Sequence, residues 1–369
     1  MSFLAEMELY EKIDFSFFWR KTGVEDVRAV LDRESLKPLD FLTLLSPAAT
    51  DCLEETARVA RELTLCNFGK IIMLYTPLYL SNHCVNHCRY CSFSAAHRLV
   101  RKRLTVEEIK KEAEFIAGQG FQDLLVLTGE SRSVTPVSYL EEALGILKEY
   151  FPALGLEIYS LSTEEYRRLV NAGADYLTVY QEVYNRETYN YLHPQGPKKD
   201  YLFRLTTPER AGAAGMRNLS IGALLGLEDW RREIFFTGLH AAYLQRKFSD
   251  IEVGVSVPRV RPNLGGFIPP VEVTDNDLVQ SILALRLFLP RVGISVSTRE
   301  TPWLRDHLIK LGVTRISAAS VTSVGGHALP AEDEEGQFVP ADGRTVEEIK
   351  EMITTCGYQP VFKDWHRLW

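Results

Sequence analysis

The chain has 369 residues, 46% hydrophobic and 25% charged, which excludes a disordered or fibrous protein and suits one large globular domain with extensions. A net charge of −7 argues against nucleic acid as the main partner. There is no basic-then-apolar leader and no apolar run of about eighteen residues, so no membrane partner is expected and the expected location is cytoplasmic.

Residues 1–70 read as helices. The stretch 57–65 is amphipathic, and Ser46-Pro47 looks like a helix start with proline at the first position. No catalytic constellation lies there, so the expected role is a helical cover or base. From residue 71 a regular alternation begins. Strands are expected over 71–80, 123–127, 156–161, 176–180, 219–223, 251–257, 293–297 and 313–317. Helices are expected over 105–118, 137–150, 163–172, 207–214, 229–247, 275–288 and 302–311. The first of these helices opens with the capping box Thr105-x-x-Glu108. Residues 185–199, with Pro194, Gly196 and Pro197, read as a long loop. The composition turns acidic and Gly/Pro-rich over 331–343, before a last helix over 345–355 and an aromatic end. Short apolar β-branched strands alternating with helices predict an α/β fold, a (β/α)8 TIM-type barrel over 71–320. A helical extension (1–70) precedes it and a C-terminal extension (321–369) follows. An open six-stranded partial barrel is the alternative.

The chemistry centres on Cys84-Val-Asn-His-Cys88-Arg-Tyr-Cys91, three of six cysteines on one short loop after the first strand. Such clustering reads as metal ligation rather than a disulfide framework. Three neighbouring thiolates can grip one face of an iron–sulfur cluster and leave one iron without a protein ligand. The alternative is a structural zinc site completed by His83 or His87. Cys52, Cys66 and Cys356 are scattered and expected to be packed free thiols. Barrel active sites lie at the carboxyl ends of the strands. There the sequence places Thr128-Gly129-Glu130, Ser160 and Ser162, Tyr180-Gln181, Gly222-x-Leu224-x-Gly226, Ser297-Thr-Arg299-Glu300, and Ser317 with Ser320. An arginine in a barrel mouth is costly unless paired, and a substrate carboxylate suits its guanidinium fork. The competing reading is a salt bridge from Arg299 to Glu300 or Glu182. Arg259 and Arg261 are weaker candidates.

The cysteine spacing, followed by Phe93, resembles the signature loop of radical S-adenosylmethionine (SAM) enzymes. That resemblance implies a [4Fe–4S] cluster on Cys84, Cys88 and Cys91, with SAM on its open iron. It also implies SAM contacts from Tyr90, Thr128, Gly129, Glu130, Ser162, Arg204, Gly222 and Leu224. Tyr79-Leu-Ser-Asn82, Leu127-Thr-Gly-Glu130, Val179-Tyr-Gln-Glu182, Ile221-Gly-Ala-Leu-Leu-Gly226 and Ser297-Thr-Arg-Glu300 together resemble the aromatic amino acid lyases of that superfamily. The Lys363-Asp364-Trp365 end is similar to the tyrosine lyases of thiamine biosynthesis. The likeness implies cleavage of the Cα–Cβ bond of L-tyrosine, with Arg299, Ser317, Ser320, Tyr180 and Gln181 around the substrate. It implies a reducing electron donor of the flavodoxin or ferredoxin class, and a thiazole synthase as receiver of the product. Hydrogenase maturases of the same kind carry three more cysteines near their C-terminus; here only Cys356 follows Cys91. A tryptophan lyase and a metal-stapled scaffold protein remain as other readings.

Overall fold

The computed structural model describes residues 2–329 and 335–363. Five helices come first: α1 (Phe3–Tyr10), α2 (Phe15–Lys21), α3 (Val24–Leu31), α4 (Pro38–Leu44) and α5 (Leu53–Phe68). The Ser2 and Asp14 side chains cap α1 and α2 by accepting from the Ala5 and Phe17 amides. A 3-10 turn over Pro47–Cys52 begins with proline, as expected, although the Ser46 hydroxyl makes no cap bond. Cys66, expected to be packed, is exposed.

Strand–helix alternation follows. It runs β1 (Ile71–Ser81), α6 (Val106–Gly118), β2 (Asp123–Thr128), α7 (Val137–Leu147), β3 (Ala153–Glu157), α8 (Thr163–Ala172) and β4 (Tyr176–Glu182). Next come α9 (Arg186–Leu192), α10 (Tyr201–Leu205), α11 (Thr207–Ala213), β5 (Asn218–Ala223), α12 (Trp230–Lys247) and β6 (Glu252–Ser256). The series ends with α13 (Asp275–Phe288), β7 (Gly293–Val296), α14 (Pro302–Leu308), β8 (Arg315–Ser317), α15 (Val346–Thr355) and β9 (Gln359–Val361). Strands β1 to β8 pair in parallel in chain order, and β1 pairs with both β2 and β8, so the eight strands close. The fold is therefore the closed barrel rather than the open alternative. β2 engages β1 only from Thr76 onward. That leaves the edge of Ile71–Met73 free for β9, a ninth parallel strand that the sequence reading lacked.

The N-terminal helices clad the outer wall. Phe41 of α4 stacks on Phe288 of α13 with centroids 4.5 Å apart, and Phe3 of α1 stacks on His240 of α12 at 4.0 Å. Gln280 of α13 donates to the Leu44 and Ser46 carbonyls, both at 2.9 Å. Burying one such phenylalanine stabilises by roughly 1.5–3 kcal/mol.

Three elements differ from the sequence reading. β3 starts directly after Pro152 and ends at Glu157, several residues before the expected end. Residues 185–199 are not all loop: Asn185 caps α9 by accepting from the Glu187 and Thr188 amides, and a 3-10 turn covers Pro197–Lys199. The breakers Pro194, Gly196 and Pro197 interrupt only the second half of that stretch. α10 follows at once, started by Asp200, which accepts from the Phe203 amide.

Two features shape the barrel interior. At its floor, Arg315 donates to both Asp123 oxygens at 2.8 Å and to the Tyr176 hydroxyl at 2.7 Å, with its guanidinium over the Tyr75 and Tyr176 rings. At the mouth, residues 335–344 run across the strand ends as a strap. The Ala341 amide donates to the Thr298 carbonyl at 2.8 Å, and the Val339 amide to the Pro262 carbonyl at 3.3 Å. Asp342 pairs with Arg305 of α14, both side chains fully enclosed, and Arg305 also donates to the Ser317 carbonyl. Asp342→Ala would strand that buried guanidinium without its main counter-charge. The expected cost is about 3–5 kcal/mol, read as a lower urea midpoint at unchanged slope.

Candidate active site

Cys84, Cys88 and Cys91 form one wall of a cavity at the carboxyl end of the barrel, about 1420 Å³ of empty space with its mouth included. The cysteine loop is held mainly by bonds that do not involve sulfur; Gln337 Nε2 also donates to Cys91 Sγ at 4.0 Å. Asn86 donates to Glu130 Oε2 at 2.6 Å and accepts the Lys198 amide at 2.9 Å. The Val85 amide donates to the Glu130 carbonyl at 2.8 Å, and Arg101 spans the Phe93 and Ser94 carbonyls at 2.8 and 2.7 Å. Glycine is required beside the loop. A Cβ on Gly129 would lie 2.4 Å from the His83 carbonyl oxygen, and one on Gly196 (φ +97°) would lie 2.2 Å from Asn86 Oδ1.

The donor set fits a cluster. Burial pushes the Cys88 thiol up to about 12 and the Cys91 thiol up to about 11, so bare thiolates are disfavoured until cationic metal compensates them. Among the described residues no three His, Cys, Asp or Glu gather as a site for a single ion. A cluster asks for a different arrangement, with each sulfur on its own iron. His83 and His87, which a zinc site would need, are not among the residues lining the cavity.

Around the thiols stand Tyr90, Thr128, Gly129, Glu130, Glu182, Lys198, Arg204 and Leu224. Burial holds His193 down at about 3, so it is neutral. Its Nδ1 faces the Tyr189 carbonyl at 2.8 Å, which leaves Nε2 to accept from the Tyr90 hydroxyl at 2.7 Å. Glu182 sits at a bulge of β4 with φ +71°, and Lys198 donates to it at 2.6 Å. Burial alone would raise the Glu182 carboxyl, but Lys198 and Arg204 hold it below its ordinary value. Arg204 donates to the Tyr180 carbonyl at 2.9 Å.

The same cavity is also lined by Tyr75, Glu157, Tyr180, Ser297, Arg299, Ser317 and Ser320. Glu300 takes Arg259 and Arg261 as partners, and Glu182 takes Lys198. Both salt bridges suggested for Arg299 are therefore occupied by other cations. Its guanidinium lies 3.6 Å from the Phe338 ring centroid, pinned by the strap. Gln337 of the strap accepts from the Tyr79 hydroxyl at 2.8 Å. Ser317 Oγ accepts the Thr298 amide at 3.2 Å, and Ser320 Oγ is buried without a partner among the described residues.

Several expected site residues lie elsewhere; Ser160 is one, its hydroxyl accepting from Thr207 at 2.8 Å. Gln181 points out of the barrel toward Tyr184 and His240, because side chains alternate along a strand and Tyr180 and Glu182 take the inward positions. Ser162 caps α8, with its hydroxyl donating to Glu165 at 2.9 Å and accepting the Glu165 amide at 3.3 Å. Gly222 does not line the cavity; a Cβ there would lie 1.8 Å from the Ser256 carbonyl oxygen, so this glycine serves strand packing. Arg259, bound to Glu300, Asp275 and the Val273 carbonyl, is structural. Asp364 and Trp365 lie outside the described residues. Glu157, Lys198, Gln337 and Phe338 line the cavity without having been expected there, and Tyr79, quoted only as part of a motif, lines it too.

A closed parallel barrel with three thiols on the wall of a polar mouth defines a radical SAM enzyme. The model described as "Radical SAM superfamily" matches residues 78–236, and "Biotin and Thiamin Synthesis associated domain" matches 256–359. The enzymes of this superfamily use a [4Fe–4S] cluster and SAM. The chain is 41% identical over 364 residues to 2-iminoacetate synthase of Escherichia coli (strain K12), covering 95% of this chain and 96% of that one. It is 40% identical over 341 residues to 2-iminoacetate synthase of Salmonella typhimurium, covering 92% and 90%. It belongs to the 2-iminoacetate synthase family. Among solved structures it is similar to the FeFe-hydrogenase maturase of Carboxydothermus hydrogenoformans, at 32% identity and TM-score 0.91, covering 99% of this chain and 86% of that one. No helix among the described residues is long and apolar enough to cross a membrane.

Proposed function

We propose that this chain is a tyrosine lyase that cleaves the Cα–Cβ bond of L-tyrosine to 2-iminoacetate and p-cresol. The observation that carries the reading is the pairing, in one cavity, of a three-thiol wall with an arginine that has no acidic partner among the described residues. Cys84, Cys88 and Cys91 hold the cluster. Thr128, Gly129 and Glu130 take the SAM amino group, Arg204 its carboxylate, and Tyr90 and Leu224 its nucleoside. With both bound, the site supplies a 5′-deoxyadenosyl radical that takes hydrogen from the substrate amine. Arg299 grips the tyrosine carboxylate, with Ser317, Ser320 and Tyr180 completing the pocket. Position is decisive, because such a radical does not choose between hydrogens by itself. A one-electron donor of the flavodoxin or ferredoxin class supplies reductant. The imine product hydrolyses in water, which favours direct hand-over to a thiazole synthase; co-purification of the two from a mixed lysate tests that contact. The test of the main reading is anaerobic turnover with SAM, a reductant and L-tyrosine. The expected result is p-cresol formed in step with 5′-deoxyadenosine, and no 3-methylindole when tryptophan replaces tyrosine. Deoxyadenosine without p-cresol from the wild-type enzyme overturns the reading.

A further inference from the structure

We propose that Glu157 receives the substrate amino group, pairing with the ammonium and then accepting one of its protons. The inference rests on the tyrosine lyase reading above.

The argument begins with the charged groups of the cavity. Glu182 is paired with Lys198, and Glu130 accepts from Asn86. Arg204 donates to the Tyr180 carbonyl, and Arg261 to Glu300 and the Arg299 carbonyl. Among the described residues only two cavity charges have no ion pair or side-chain hydrogen bond, Arg299 and Glu157. An unpaired charge in a low-dielectric site is costly. One open cation and one open anion in the same cavity are complementary to a zwitterion, and an amino acid is one. Arg299 takes its carboxylate; Glu157 is left for the ammonium.

Placement supports the pairing. Glu157 ends β3 in register with Leu127 of β2 and lines the same cavity as Arg299 and the three thiols. The charged and titratable groups that face it are Glu182 and Tyr180 from β4, Arg299 beyond β7, Arg204 of α10, Lys198 before α10, and Tyr75 and Tyr79 from β1. Burial, reinforced by Glu182, raises its carboxyl to about 7.

The chemistry gives that carboxyl a task. Hydrogen abstraction from an amine leaves a neutral nitrogen radical, whereas abstraction from an ammonium leaves a radical cation that lacks a lone pair to drive cleavage. The ammonium must first lose one proton: R–NH3+ and the Glu157 carboxylate become R–NH2 and the Glu157 carboxylic acid. Atoms and charge balance, and no oxidant or reductant enters. A base poised near the working pH is the effective kind.

The experiment compares two probes on the anaerobically reconstituted holoenzyme with SAM bound: L-tyrosine and 3-(4-hydroxyphenyl)propionate, which lacks only the amino group. Wild type is expected to prefer tyrosine. Below about pH 7 Glu157 is protonated and cannot pair with ammonium, so the preference is expected to grow from pH 6 to pH 8. Effects on Arg299 are common to both probes and cancel in the ratio. Glu157→Gln is expected to weaken tyrosine by roughly 10- to 150-fold, leave the analogue unchanged and flatten the pH dependence. A wild-type ratio that is flat with pH overturns the inference without any variant. So does a Glu157→Gln enzyme that keeps the preference, or one that loses SAM affinity instead. Failure of wild type to bind tyrosine at all counts against the lyase reading itself.

Discussion

Cys88→Ala is expected to lose its iron, its absorbance near 400 nm and all SAM cleavage, while keeping a folded barrel. The loop is tied down by Asn86, Arg101 and the backbone around Gly129, none of which uses sulfur. Removing the thiol therefore removes a ligand and little of the scaffold. The same outcome is expected for Cys84→Ala and Cys91→Ala, because all three thiols line the cavity. Cys52→Ala is the control: Cys52 is buried among the N-terminal helices and its loss is expected to leave iron content unchanged. The measurement is iron per chain with far-UV circular dichroism on the same samples. A single variant at position 84, 88 or 91 that keeps full iron and cleaves SAM removes the cluster from this loop.

Arg299→Lys is expected to uncouple the two halves of the reaction. The arginine guanidinium carbon lies 3.6 Å from the Phe338 ring centroid, and the side chain lines the cavity. A lysine keeps the charge but neither stacks in that way nor offers two parallel donors. Loss of a charge-assisted pair in a dry pocket costs about 1.5–3 kcal/mol, or roughly ten- to 150-fold in tyrosine affinity. The chemical penalty is larger still, since a misplacement of about 1 Å costs on the order of a hundredfold. SAM cleavage should continue and yield deoxyadenosine without p-cresol. The ratio of those two products, in wild type and variant, reads the effect. An unchanged ratio with normal tyrosine affinity takes Arg299 out of the substrate site and makes Arg261, which also lines the cavity, the next candidate.

The barrel was legible because each strand is a short apolar run closed by turn or cap residues, and those signals are local. The cysteine wall was legible because one loop carries it. What escaped depends on phase and on distance. Gln181 and Glu182 are neighbours, and only the observed alternation decides which faces inward. Placing β3 at 156–161 put Glu157 inside a strand rather than at its tip, and so hid a carboxyl that lines the cavity. Ser162-x-x-Glu165 is a capping box, and reading it as one would have withdrawn Ser162 from the site. Gln337 and Phe338 carried no signal, because nothing near them in sequence tells of Tyr79 or Arg299.

That last separation bears on how the protein is made. Tyr79 and Gln337 are 258 residues apart, and they meet at the mouth. At synthesis rates of about 5–20 residues per second, a ribosome needs roughly 10–50 s to travel between them. For that interval the cysteine loop has emerged but its cover has not. Iron delivered before residue 335 is made meets thiols without their cover; iron delivered to a released chain must pass the strap. Thiol alkylation of chains stalled before residue 335, compared with released chains, would show the difference as faster labelling of Cys84, Cys88 and Cys91 in the stalled ones.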